Sequence, residues 1–115
     1  MIGMAHDRNI VTQYRMTPQM AQKLVRELAQ NSSNIIWRGH AQERSEERDI
    51  TFLDALMILR TGIIEGNPQA GKYPGEWKCK LVKKLRENRD AGVVTIIMTK
   101  QSKLKVVTVE WENLR

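Results

Sequence analysis

Hydrophobic positions change period along the chain, and the change divides it into helices followed by strands. Met20, Leu24 and Leu28, flanked by Ala21 and Val25, recur at helical spacing. Thr17 and Pro18 stand at their head as N-cap and first helical residue, a place where proline's missing N–H costs nothing. The polar tract Asn31-Ser32-Ser33-Asn34 ends that helix just after Gln30, and Ile35-Ile36-Trp37 is long enough only for an edge strand or an anchoring segment. His40 to Arg48 spells a very polar second helix. A third opens at Thr51 with Asp54 at the capping-box position, buries Phe52, Ala55, Leu56 and Leu59, and stops at Gly62.

Beyond the extended start Ile63-Ile64, the stretch from Gly66 to Gly75 is rich in turn formers and predicts a loop. From Glu76 the period falls to two. Trp77, Cys79, Leu81 and Leu85 take one side of a strand and Lys78, Lys80, Lys84 and Arg86 the other, with Val82 and Lys83 breaking the alternation. Val93 to Met98 is apolar in both parities, as a covered central strand would be, and Leu104 to Trp111 forms the last strand. Three strands joined by short connections predict an antiparallel meander. The architecture expected is α+β: N-terminal helices packed on a small C-terminal antiparallel sheet, with Leu56 and Ile96 in the core. Residues 1–16 lack periodicity and read as a mobile tail before a single domain over 17–115.

Composition narrows the function classes. At 115 residues, with 41% hydrophobic and 28% charged, the chain suits one globular domain. No apolar run reaches the roughly 18 residues of a spanning helix, and the N-terminus does not read as a secretory signal, so a cytoplasmic protein with no membrane partner is expected. The single Cys79 reads as a small buried hydrophobe. One cysteine and two histidines at unrelated spacings do not make a zinc site, so neither metal nor cofactor is expected. A formal charge of +6 favours a polyanionic partner, and where the cations lie must decide which.

Two clusters carry candidate chemistry. His40, Arg44 and Arg48 stand at i, i+4 and i+8 on one helix face, with Glu43 and Glu47 beside them. An imidazole can move a proton near neutral pH and a guanidinium can hold phosphate bidentately, a combination suited to phosphodiester chemistry. The bland alternative is a solvated helix supported by Glu–Arg pairs. The second cluster is the cationic strand of Lys78, Lys80, Lys83, Lys84 and Arg86, whose like charges repel on one face and are better explained by a partner or by edge protection. Tyr73, in the turn-rich loop, is the residue placed to stack on a base. Trp77 shares its parity with Cys79 and Leu81 and reads as core.

The segment from Trp37 to Thr51, the turn Thr61-Gly62 and the step Tyr73-Pro74 together resemble the bacterial domain of unknown function 4258. Its members read H-A-x-x-R-M-x-x-R-x-I-T before an apolar helix. Ser45 here replaces the usual methionine, and His40, Arg44 and Arg48 are kept. That family in turn resembles the RelE-like and MqsR-like toxins. The resemblance implies a metal-independent endoribonuclease toxin with His40, Arg44 and Arg48 at its centre. It also implies RNA as partner, association with ribosomes, and an antitoxin protein that neutralises the toxin. Lys78, Lys80, Lys83, Lys84, Arg86 and Tyr73 would bind the RNA. Two rivals stay open: a non-catalytic RNA- or protein-binding regulatory module, and, more weakly, a DNA-binding regulator, for which residues 40–62 lack helix-turn-helix spacing.

Overall fold

The computed structural model describes residues 15–112. Helices α1 (Pro18–Ala29), α2 (His40–Arg48) and α3 (Phe52–Thr61) lie against one face of a five-stranded sheet. Its strands are β1 (Ile35–Ile36), β2 (Ile63–Ala70), β3 (Glu76–Lys84), β4 (Asp90–Met98) and β5 (Lys103–Trp111). Their order is β1-β5-β4-β3-β2. Strands β2 to β5 form an antiparallel meander, and β1 joins the free edge of β5 in parallel, so the α+β expectation holds with a mixed sheet.

The helix caps form as their sequence dictates. The Thr17 hydroxyl accepts from the Met20 N–H at 3.1 Å, and Thr51 and Asp54 close a reciprocal capping box. In α1 the fully buried stripe is Ala21, Val25 and Ala29, one position round from the expected one; Leu24 and Leu28 are half-buried and Met20 is 44% exposed. Two arginines lock α1 and α3 together by exchanging caps: Arg26 donates to the Gly62 carbonyl at 2.9 Å, and Arg60 donates to the carbonyls of Ala29 and Gln30 at 2.8 and 3.2 Å. Met16, assigned by sequence to the tail, is buried in the core, and residues 1–14 of that expected tail lie outside the described residues.

Cross-strand register fixes the two faces of the sheet. Cys79, Leu81, Ala91, Val93, Thr95, Ile97, Leu104, Val106 and Val109 face the helices and are buried. The opposite face carries Lys78, Lys80, Val82, Val94, Ile96, Met98 and Lys105, and no described element covers it.

The structure overturns three of the sequence expectations. The expected loop from Gly66 to Gly75 is mostly strand: β2 runs to Ala70, and only Gly71 to Gly75 connects it to β3. As an edge strand with an irregularity between Glu65 and Gln69, β2 tolerates Gly66 at φ +74° and Pro68. Among the described residues strand β4 is covered on one side only, so Ile96 is a half-buried residue of the bare face rather than core. The alternation in β3 runs unbroken to Lys84, which puts Lys83, paired with Ala91, on the helix-facing parity at the strand's end.

Candidate functional site

Helix α2 is tied to the edge of the sheet by the residues expected to do chemistry. Arg48 donates to the Val109 carbonyl of β5 at 2.8 Å, and the Trp111 indole N–H donates back to the Arg48 carbonyl at 2.6 Å. Arg44 is held by Glu47 at 3.0 Å. The proposed triad therefore does not converge: Arg48 docks the helix, Arg44 pairs along it, and His40 stands at the other end. The His40 ring is 81% exposed, with Nδ1 3.4 Å from Glu43. Gly39, at φ +63°, turns the chain into α2 and supplies no side-chain cap.

The cationic strand separates in the same way. Lys80 lies within 2.8 Å of Glu112, 2.9 Å of Glu110 and 3.5 Å of Glu65. To reach β5 its side chain crosses β4 over Gly92, where an added Cβ would stand 2.7 Å from the lysine Cε, so a larger residue there would make the lysine shift. Burial works against the Lys80 charge, but hydrogen bonds and attraction from Glu112 and Glu110 outweigh it and raise its pKa. Glu110 is correspondingly lowered, chiefly by the Lys80 hydrogen bond. Lys84 pairs with Asp90 at 3.3 Å. Arg86 pairs with Asp54 at 3.1 Å, donates to the Asp49 carbonyl, and lies with Arg89 against the Trp111 ring. Asp54 is desolvated, yet the Thr51 N–H and Arg86 bring its pKa below the ordinary value. Lys80, Lys84 and Arg86 are thus engaged by the fold.

Lys78 differs. No described carboxylate lies within ion-pair distance of it, and the same holds for Arg38, Lys72, Lys83 and Lys105. Four of these five, Lys83 excepted, gather at one end of the bare sheet face. There a hollow of about 390 Å³ is lined by Arg38, Gly39, His40, Ile96, Lys105, Val106 and Val107. A second, of about 420 Å³, is lined by Lys72, Tyr73, Pro74, Glu76, Ile96, Met98, Gln101 and Lys105. The two adjoin at Ile96 and Lys105, which line both, and together make a trough divided at Lys105, with α2's first residue on one wall and the β2–β3 loop on the other. Tyr73 is 59% exposed on that loop, with the Lys72 ammonium 5.5 Å from its ring centre. Among the described residues the one carboxylate lining the trough, Glu76, is turned back to the Tyr73 N–H at 3.3 Å.

The structure therefore brings His40, Tyr73 and Lys78 to one surface and leaves Arg44, Arg48, Lys80, Lys83, Lys84 and Arg86 elsewhere or engaged. Sequence reasoning missed Arg38, Lys72 and Lys105. Lys105 had a signal, the Lys103/Lys105 alternation within β5, but an irregular register after Thr95 hides which face it takes until the strands are paired. Cys79 is buried and its thiol pushed up to about 12 by that burial, as suits an inert core residue.

Residues 37–111 match the family of domain of unknown function 4258. The chain belongs to that family. Several positions of the motif that carried the resemblance have structural explanations here: Ala41 and Ile50 are buried, Arg48 latches β5 and Thr51 caps α3. Comparison with curated proteins and with solved structures gives no match. No helix among the described residues is long and apolar enough to cross a membrane.

Proposed function

We propose that this member of the 4258 family binds single-stranded RNA at the uncompensated end of its bare sheet face and cuts it without a metal, as an endoribonuclease toxin does. The observation that carries this reading is the trough, in which unpaired cations surround a half-buried apolar floor beside an exposed tyrosine. Unpaired lysines beside Ile96 and Met98 do nothing for folding, whereas a polyanion with flat bases uses both the charge and the apolar floor. His40, on the wall, has the side chain suited to moving a proton near neutral pH. It would take the proton of a ribose 2′-hydroxyl, whose oxygen attacks the adjacent phosphorus. The bond to the 5′-oxygen breaks, and that oxygen leaves with a proton from the imidazolium or from water. Products are a 2′,3′-cyclic phosphate and a 5′-hydroxyl end. An acidic antitoxin partner would cover the same cations, and ribosome association would present the RNA as a single strand.

A second reading has its own observation. The arginines expected beside the imidazole are held by Glu47 and by the Val109 carbonyl, which favours a non-catalytic RNA-binding module in which His40 only begins α2. Labelled single-stranded RNA incubated in EDTA with the full chain, with binding followed in parallel, separates the two. The nuclease yields cyclic-phosphate ends, and a 2′-deoxy nucleotide at the cut position abolishes cutting but not binding. Binding without cutting, with or without ribosomes, leaves the module.

A further inference from the structure

Lys105 and Lys78 occupy one row across the sheet. Lys78 is the cross-strand partner of Ile96, and Ile96 is the partner of Lys105, so two lysines flank one isoleucine on three adjacent strands. With strands about 4.8 Å apart, their Cα atoms stand about 10 Å from each other. Among the described residues such a row gains nothing. Each lysine faces an apolar neighbour, and no described carboxylate answers either charge, although Lys80, two residues from Lys78 on the same face, has three. Lys105 is also the charged residue common to both hollows, and so stands at the saddle between the His40 wall and the Tyr73 wall.

Resting on the RNA reading above, we infer that Lys105 and Lys78 are the phosphate-holding pair of this site, and that the RNA crosses the strands from the Tyr73 loop to the first turn of α2. A nucleotide whose base lies on Ile96 has a lysine on either side for the flanking phosphates. Tyr73 receives the next base, and the phosphate at the Lys105 saddle is the one carried towards His40. The phosphate-stabilising work that the sequence suggested for Arg44 and Arg48 falls to Lys105, because neither arginine lines the hollows: Arg48 bonds the Val109 carbonyl and Arg44 pairs with Glu47. Lysine is adequate here as a point charge, since the saddle asks for neutralisation rather than a bidentate fork.

The test is the salt dependence of binding of a short unstructured RNA, read by fluorescence anisotropy with the full chain. Lys105→Ala and Lys78→Ala should each lower the slope of log K against log salt by about 0.7, the double variant by about 1.4, as expected for one single-strand phosphate each. Lys105→Arg should restore the wild-type slope, and Lys23→Ala, on α1 and paired with Glu27, should leave it unchanged. If wild type binds RNA and the double variant keeps the full slope, the lysine pair is overturned while RNA binding stands on other residues. If wild type ignores RNA but binds polyglutamate in a Lys105-dependent way, the trough is a surface for an acidic protein, and both this assignment and the RNA reading fall. Failure to bind either polyanion also removes both.

Discussion

Lys78 and Lys80 are two residues apart on one strand and one face, yet they belong to different surfaces. Strand β2 and the end of β5 place Glu65, Glu110 and Glu112 around Lys80, whereas at Lys78 the neighbouring strands offer Gln69 and Ile96 and, one strand further, another lysine. One end of the bare sheet face is thus internally neutralised and the other is open to a partner. The difference lies in the neighbours, not in the lysines. A charged strand has a functional meaning only once its cross-strand partners are known.

The largest effect expected is at the open end: His40→Ala should lower RNA cleavage about 10²- to 10⁴-fold with affinity nearly intact, since general acid–base catalysis contributes on that order. Unchanged cleavage in a competent enzyme would take the proton carrier away from His40. At the neutralised end, Lys80→Ala should cost roughly 1–3 kcal/mol in urea unfolding, because partly buried Glu110 and Glu112 lose the cation that hydrogen-bonds them. RNA affinity and its salt slope should stay as they are, and a lowered slope would erase the distinction between the ends.

Acid should act on the neutralised end and its neighbours first. Glu110 and Asp54 hold pKa values below their ordinary 4.5 and 3.8, so the unfolded chain takes up these protons before the folded one does. Their stabilisation is complete above the ordinary values and is lost as pH falls through the folded ones. Lys80 is raised above its ordinary 10.5, so its contribution is complete below that value and disappears only at higher pH. A thermal-melt series from pH 7 to pH 3 should therefore fall below about pH 5, and Glu110→Gln should flatten part of that fall. The smallest effect belongs to Lys84→Ala, whose exposed pairing with Asp90 is worth at most about 1 kcal/mol. Any sizeable loss of RNA binding there would return the whole strand face to the interface.

The helices and the long strands were legible because their signals are local. Thr17-Pro18, Thr51 with Asp54, and the Trp77/Cys79/Leu81 alternation each specify a conformation within a few residues. Strand β2 was not, since Gly66 and Pro68 read as loop formers and are tolerated only because the strand is bulged and at the sheet's edge. Ile96 was misplaced for a related reason: apolar runs show which strands are central but not whether both faces are covered. At the candidate site, His40, Tyr73 and Lys78 were visible as exposed chemistry, whereas Lys105 and the engagement of Arg48 depend on partners 61 residues away in the case of the Arg48–Val109 bond. Contacts of that range leave no trace in local spacing.

Cys79 gives the fold a reporter of its own. Its thiol lies on the helix-facing side of β3 opposite Thr95, and with burial pushing it up to about 12 it is almost entirely un-ionised at neutral pH. Burial at 6% exposure and an un-ionised thiol both slow a thiol reagent, so the labelling rate of the native chain reports openings of the packing around it. The bare face, on the other side of the same strand, can be mutated or offered RNA while that clock runs, and the rate will show whether a change on one face tightens the packing on the other.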